Sequence, residues 1–255
     1  MYILSKIGKN TLYRVRKTGI ISIFLYETVK NTFKKWYVGE FVKNVFYIGY
    51  LSLPVVSLTA VFTGCVIALQ TYVGADRYNV VNVVPNLVVL TITRELGAVL
   101  TALIVTGKIS SSIATEIGTM RITEQIDALE TLSVNPIKYL VVPRVCATLV
   151  SLPLLVVVAD ILGIFGGFLV GVYNLNFNPS IYIIKTIDFV TYNDIMCGIL
   201  KSVVFGLIIS FTGCYCGYNS KGGAKGVGRA VTLAVISSCI LILLLDLVLT
   251  KLLFI

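Results

Sequence analysis

Five stretches of roughly 20 apolar residues, with few or no charges inside them, decide the solvent in which this chain folds. They run from about Leu51 to Val73, Val84 to Thr106, Val145 to Val172, Ile195 to Tyr215 and Val231 to Ile255. At 1.5 Å per residue, about 20 helical residues cross a hydrocarbon core about 30 Å thick. Inside lipid every backbone N–H and C=O must find a partner within the protein, which these uninterrupted runs achieve as helices. The chain is 57% hydrophobic and only 13% charged, against roughly 45–50% apolar and 25% charged in soluble domains. A soluble globular fold is excluded. The expectation is an all-α polytopic membrane protein with about five transmembrane helices, preceded by an N-terminal interfacial amphipathic helix and carrying one cytoplasmic helix.

The segment 1–50 is basic and aromatic. Ile20, Ile21, Phe24, Leu25, Val29, Phe33 and Trp36 alternate with Arg16, Lys17, Lys30, Lys34 and Lys35, the pattern of one or two helices lying in the membrane interface. Its apolar stretch is short, follows a basic run and lacks a small-residue cleavage site, so it reads as a retained anchor rather than a secretory signal. Of 21 Lys and Arg, nine lie in this N-terminal segment, four between Lys108 and Arg144 and three between Lys221 and Arg229. Arg77, Lys185 and Lys251 fall on the opposite side, and Arg94 and Lys201 inside spans. The excess of basic residues on one side makes the N-terminus cytoplasmic. The same spread over all cytoplasmic segments argues against a nucleic-acid patch, despite a net charge of +9.

The absence of His removes Ser-His-Asp triads, HExxH zinc helices and haem ligation by His. Cys65, Cys146, Cys197, Cys214, Cys216 and Cys239 lie in apolar stretches without CxxC spacing and read as small buried hydrophobes. The loop from Asn219 to Gly228 is glycine-rich and basic, but it fails the GxxxxGK[ST] spacing and reads as a flexible cytoplasmic turn. No cofactor or nucleotide site is expected.

Two features carry chemistry. Arg94 and Glu95 lie about ten residues into the second span, hence about 15 Å from its outer end. A charge there costs at least about 2.5–3.5 kcal/mol, so it faces a bundle interior or a watery cavity and needs a partner. Adjacent helical residues point about 100° apart, so the two cannot neutralise each other. Lys201, six to nine residues into the fourth span from the same outer side, lies at a matching depth. The three form either an ion pair that fixes helix packing or the wall of a passage for a charged headgroup, and the second reading is preferred. Asp160 and Asp246 are read as structural hydrogen-bonding groups. The second feature lies between the second and third spans, where Ile122, Ile126 and Leu129 recur at helical spacing while Arg121, Glu124, Asp127 and Glu130 occupy another face. Asn135-Pro136 ends that helix. Its acids argue against rest on an anionic membrane, leaving protein docking.

The residues Thr93-Arg94-Glu95-Leu96-Gly97, then Ala114-Thr115-Glu116-Ile117-Gly118-Thr119-Met120-Arg121 and Thr123-Glu124-Gln125-Ile126-Asp127-Ala128-Leu129, resemble the MlaE permease family. The resemblance continues through Asn135-Pro136, Val142-Pro143-Arg144, Ser151-Leu152-Pro153, Gly166-Gly167 and Lys201-Ser202-Val203-Val204-Phe205 to Asp246-Leu247-Val248-Leu249-Thr250. It covers nearly all of 51–255. What it implies is a permease subunit of an ABC transporter that moves phospholipids between inner and outer membranes and maintains outer-membrane lipid asymmetry. The implied assembly is a homodimer in the bacterial inner membrane with a MlaF-like ABC ATPase, a MlaD-like MCE-domain protein and a MlaB-like STAS-domain protein. By resemblance Arg94, Glu95 and Lys201 face a lipid-binding cavity near the dimer interface. A coupling helix at about 119–134, with Arg121, Glu124, Gln125, Asp127 and Leu129, meets the ATPase, so that ATP hydrolysis occurs in the partner and this chain is not itself an enzyme. Where several relatives carry Pro, this chain has Ala98, which would remove a helix kink. The competing class is an ion- or proton-coupled secondary transporter that relays protons through Glu95, Asp160 and Asp246 without an ATPase. A membrane-embedded lipid enzyme lacks a nucleophile-to-base motif.

Overall fold

The computed structural model describes residues 2–32 and 37–254, with side chains at 2–11, 13, 14, 17 and 254 outside the description. Phe33, Lys34, Lys35 and Trp36, part of the amphipathic segment expected from the sequence, lie outside the described residues, as does Ile255 at the end of the fifth span. All regular structure among the described residues is helical, and five helical runs are long and apolar enough to cross a membrane. The chain is an all-α polytopic membrane protein.

The order begins with α1 (Tyr2–Thr32) and α2 (Val38–Ile48), and the first run long and apolar enough to cross a membrane, Val38–Asp76, takes in α2. Phe24 of α1 is buried against Phe211, Tyr215 and Tyr218, with ring centroids 5.6–5.7 Å away. These aromatic contacts seat the C-terminal half of α1 on the bundle. A short 3₁₀ turn joins α2 to α3 (Leu53–Asp76), whose Pro54 occupies the first turn, where its missing N–H costs nothing. The second run is α4 (Val84–Thr91), α5 (Gly97–Val105) and α6 (Ser111–Ile122), joined by π-helical turns at Ile92–Leu96 and Thr106–Ser110. After α7 (Gln125–Thr131), a third π turn at Ile137–Val141 leads into α8 (Val142–Tyr173). The third span therefore starts several residues earlier than hydropathy alone suggests, because Asn135 caps it: its Oδ1 accepts from the N–H groups of Ile137 and Lys138 at 3.0 and 3.2 Å. Asn135-Pro136 opens the next helix rather than closing the previous one.

The segment after the third span contains α9 (Pro179–Phe189), an element absent from the sequence expectation. Its signal was Asn178-Pro179: the Asn178 side chain accepts from Ser180 and Ile181 N–H, and Pro sits at the first helical position. Tyr182 packs α9 against α8, where a Cβ on Gly171 would stand 2.6 Å from its ring. Burial pushes the Tyr182 phenol up to about 12. Then come α10 (Tyr192–Tyr218) and α11 (Gly223–Phe254). The glycine-rich loop is shorter than expected: Gly222 and Gly223 take φ of 89° and 69°, and Lys225 to Arg229 already belong to α11.

Glycines set the closest packing. A Cβ on Gly64 would stand 1.8 Å from the Gly163 carbonyl oxygen, and one on Gly166 would stand 2.3 Å from that of Val61, so α3 and α8 meet backbone to backbone. The main core joins α5, α6, α8 and α10, with Ala102, Ile117, Leu152, Phe205 and Ile209 fully or almost fully buried. All six cysteines are buried or half-buried, as expected of small apolar side chains.

Candidate functional site

The site forms where the first π turn of the second run meets α10 and α11. An α-helix presents one residue every 100°, and the wider turn at Ile92–Leu96 breaks that phase where the chain carries Arg94 and Glu95. No proline is needed: with Ala98 in the sequence, the irregularity is built from the π turn itself. Gly198 lets α10 close on it, since a Cβ there would lie 2.8 Å from the Thr93 carbonyl oxygen. Gly97 leaves room for Asp160 of α8, whose Oδ1 occupies the space that a Cβ would take.

Lys201 is the hub. Its side chain has 0% exposure, and its Nζ donates to Glu95 Oε2 at 2.7 Å, to Thr250 Oγ1 at 2.8 Å and to the Arg94 carbonyl at 3.1 Å. Asp246 Oδ1 stands 3.0 Å from the same nitrogen. Thr250 in turn donates to Glu95 Oε1 at 3.1 Å. A buried ammonium is stable only with this density of partners, because desolvation of each ion costs several kcal/mol. The Glu95–Lys201 pair expected from matching depths is present. Asp246, read from the sequence as a structural hydrogen-bonding group, belongs to the same cluster. Asp160 does not: it makes no ion pair among the described residues, whereas Asp246, whose Oδ1 likewise has no hydrogen-bond partner there, lies at ion-pair distance from Lys201.

Arg94 points elsewhere. Its Nε donates to Asp194 Oδ1 at 2.6 Å, while Asp194, 3% exposed, also accepts from the Thr191 N–H and hydroxyl at 3.2 and 2.7 Å. Thr191 and Asp194 form a capping box at the start of α10. Asp194 was missed in the sequence. The pattern Thr191-Tyr192-Asn193-Asp194, a capping signature just outside a span, was the available signal. Two members of the cluster keep open surface, Arg94 at 36% and Glu95 at 35%, whereas Lys201 has none. In this arrangement Lys201 holds Glu95 in place, and Arg94 and Glu95 are the groups that a ligand in the bundle's side would meet.

The charged segment expected as one helix at about 119–134 is divided. Arg121 lies in the last turn of α6, Glu124 takes φ of 60°, and Gln125, Asp127 and Leu129 lie on the seven-residue α7. The break comes from Glu124 in the left-handed region, where a helix cannot continue. Arg121 Nη1 reaches back across it to Asp127 Oδ1 at 2.5 Å. Ile126 is fully buried and Leu129 packs on the core, so the apolar side is seated while Glu124, Gln125 and Asp127 face outward.

Comparison with known proteins follows the same residues. The family described as permease MlaE matches residues 41–252. A probable ABC transporter permease protein of Rickettsia typhi is 47% identical over 99% of this chain and 98% of its own length. One from Synechocystis is 39% identical over 81% of this chain and 79% of its own. The intermembrane phospholipid transport system permease protein MlaE of Haemophilus influenzae is 31% identical over 98% of this chain and 97% of its own.

Proposed function

The chain belongs to the MlaE family of ABC transporter permeases, and from that premise we infer that it moves phospholipids between the inner and outer membranes. The observation that carries this reading is the half-open charge cluster inside the membrane. A purely structural ion pair would have no reason to keep Arg94 and Glu95 about one third exposed at that depth. A phospholipid headgroup offers a phosphate to Arg94 and polar or cationic groups to Glu95, while its chains stay among apolar side chains. Lys201, Asp246 and Thr250 hold Glu95 against that ligand, and Asp194 holds Arg94.

The chain works as a homodimer in a bacterial inner membrane, with the N-terminus cytoplasmic, residues 1–50 as an interfacial helical segment and 51–255 as the permease domain. Arg121, Glu124, Gln125, Asp127 and Leu129 form the contact with a MlaF-like ATPase, which hydrolyses ATP. Ile126 and Leu129 tie α7 to the core, so a push on α7 is delivered to α6 and through it to the second run. An MCE-domain protein on the outer side receives or supplies lipid, and a STAS-domain protein accompanies the ATPase. A proton relay through Glu95, Asp160 and Asp246 has less support, because Asp160 shares no hydrogen bond with the other two.

The test is a mild-detergent pull-down of the tagged chain from its native membrane, with mass spectrometry of the proteins and lipids recovered. An ATPase, an MCE-domain protein and phospholipid are expected together. A homo-oligomer without ATPase, under conditions where known ABC complexes survive, sinks the reading in favour of secondary transport.

A further inference from the structure

A second polar recess lies far from Glu95, between α2, α6 and α8, with a volume of about 330 Å³. That is at the lower end of the roughly 300–1,000 Å³ typical of small-molecule sites. Its charged lining is Glu40 and Lys43 from α2, Lys108 and Glu116 from the second run, and Arg144 from α8. Arg144 is a built-in charge: its side chain is 9% exposed, its Nη1 donates to the Leu140 carbonyl at 2.7 Å and its Nη2 to Glu116 Oε2 at 2.8 Å. Its buried Nε has no partner among the described residues. Lys108 Nζ rests on the Leu51 carbonyl, a neutral group, and Lys43 makes no ion pair among the described residues. With Glu116 taken by Arg144, two lysines line one recess beside the single remaining carboxylate of Glu40. The recess is short of an anion.

Depth identifies the source of that anion. Lys108 lies thirteen residues beyond Glu95 on the same helical run, about 20 Å at 1.5 Å per residue. With Glu95 near mid-membrane, that is about 5 Å past the edge of a 30 Å core, at headgroup level. The rim carries an exposed aromatic group, Phe46, Tyr47 and Tyr50, with Phe46 and Tyr50 stacked at 5.1 Å. Exposed Tyr and aromatic clusters at span ends mark the membrane–water boundary. We propose that this recess binds the phosphate of a membrane phospholipid headgroup, with Lys43 and Lys108 as its cationic partners and Glu40 beside the ammonium of a zwitterionic lipid. This lipid is additional to any held at Glu95, and the proposal does not depend on the transport reading.

The test uses the full-length protein in maltoside detergent, titrated with dihexanoylphosphatidylethanolamine and followed by native mass spectrometry and by thermal shift. The Lys43→Glu/Lys108→Glu double variant should retain one lipid fewer per chain, with binding weaker by about ten-fold or more, the scale of one lost charge-assisted hydrogen bond. Lys225→Glu, a single charge reversal on α11 outside the recess, should bind as wild type. Lys43→Gln alone, which keeps the Lys108 contact, should shift binding in the same direction and keeps the test open if the double variant misfolds. Glu95→Gln should leave this lipid in place, which separates the recess from the intramembrane cluster. Equal lipid retention in wild type and the lysine variants overturns the proposal. So does displacement of the lipid by excess inorganic phosphate, which would make the recess a site for a soluble anion.

Discussion

The intramembrane cluster and the α6–α7 corner use the same residue types to opposite ends. Around Lys201, two carboxylates, a hydroxyl and a carbonyl crowd one fully buried nitrogen. At the corner, Arg121 meets Asp127 at 2.5 Å, yet both side chains are substantially exposed. In a low-dielectric interior each partner of an ion is needed to offset desolvation, so removing one exposes the others to the full cost. In water the same pair is worth about 0–1 kcal/mol, and its charges remain free for a partner protein. Burial turns charge into architecture, and exposure leaves it available for recognition.

The sharpest way to break this contrast is Lys201→Ala. It leaves Glu95 and Asp246 together without their cation, and thermal unfolding in detergent should show a loss on the order of 3–5 kcal/mol. A melting profile like wild type would mean that the cluster ties nothing together. Next is Glu95→Gln, whose amide oxygen can still accept from Lys201 but whose NH2 replaces the oxygen that accepts from Thr250. Stability should fall by about 1–3 kcal/mol, while transfer of a fluorescent phospholipid from proteoliposomes drops much further than stability explains. Normal transfer would remove Glu95 from the ligand path. Asp194→Asn loosens Arg94 at the half-open edge of the cluster and should cost about 1–2 kcal/mol, with transfer impaired less than in Glu95→Gln. At the far end of the scale, Asp127→Lys should change stability by less than about 1 kcal/mol but abolish co-purification of the ATPase. If the ATPase stays bound, α7 is not its docking surface.

Much of this was legible from the chain. The spans follow from hydropathy, because lipid leaves a helix no alternative, and the Glu95–Lys201 contact follows from counting residues to equal depth. Which helices meet at Gly64, Gly163 and Gly166 is settled only by the tertiary packing of α3 on α8. Thr250 was silent, though it sits four residues after Asp246 and so shares its helix face. Asp194 was overlooked because it lies outside the apolar run, and its capping role is local while its bond to Arg94 is not. The division of the charged helix at Glu124 left no trace, since Glu is an ordinary helix former and nothing in its neighbours marks a left-handed φ. The seating of α1 through Phe24 depended on distant aromatics that no local period reveals.

The three π turns make the membrane helices phase-sensitive. Each accommodates one residue more than regular winding would, so deleting a single residue within 92–96 lets the segment relax to an α-helix. Everything on one side would then rotate by about 100° relative to the other. Glu95 would leave Lys201 while every hydrophobic position stayed apolar, since these helices are greasy on nearly all faces. Such a chain would still insert and still look like the same permease by composition, yet its charges would be out of step. Length, counted to the residue, is therefore as much a part of this site as the identity of its side chains.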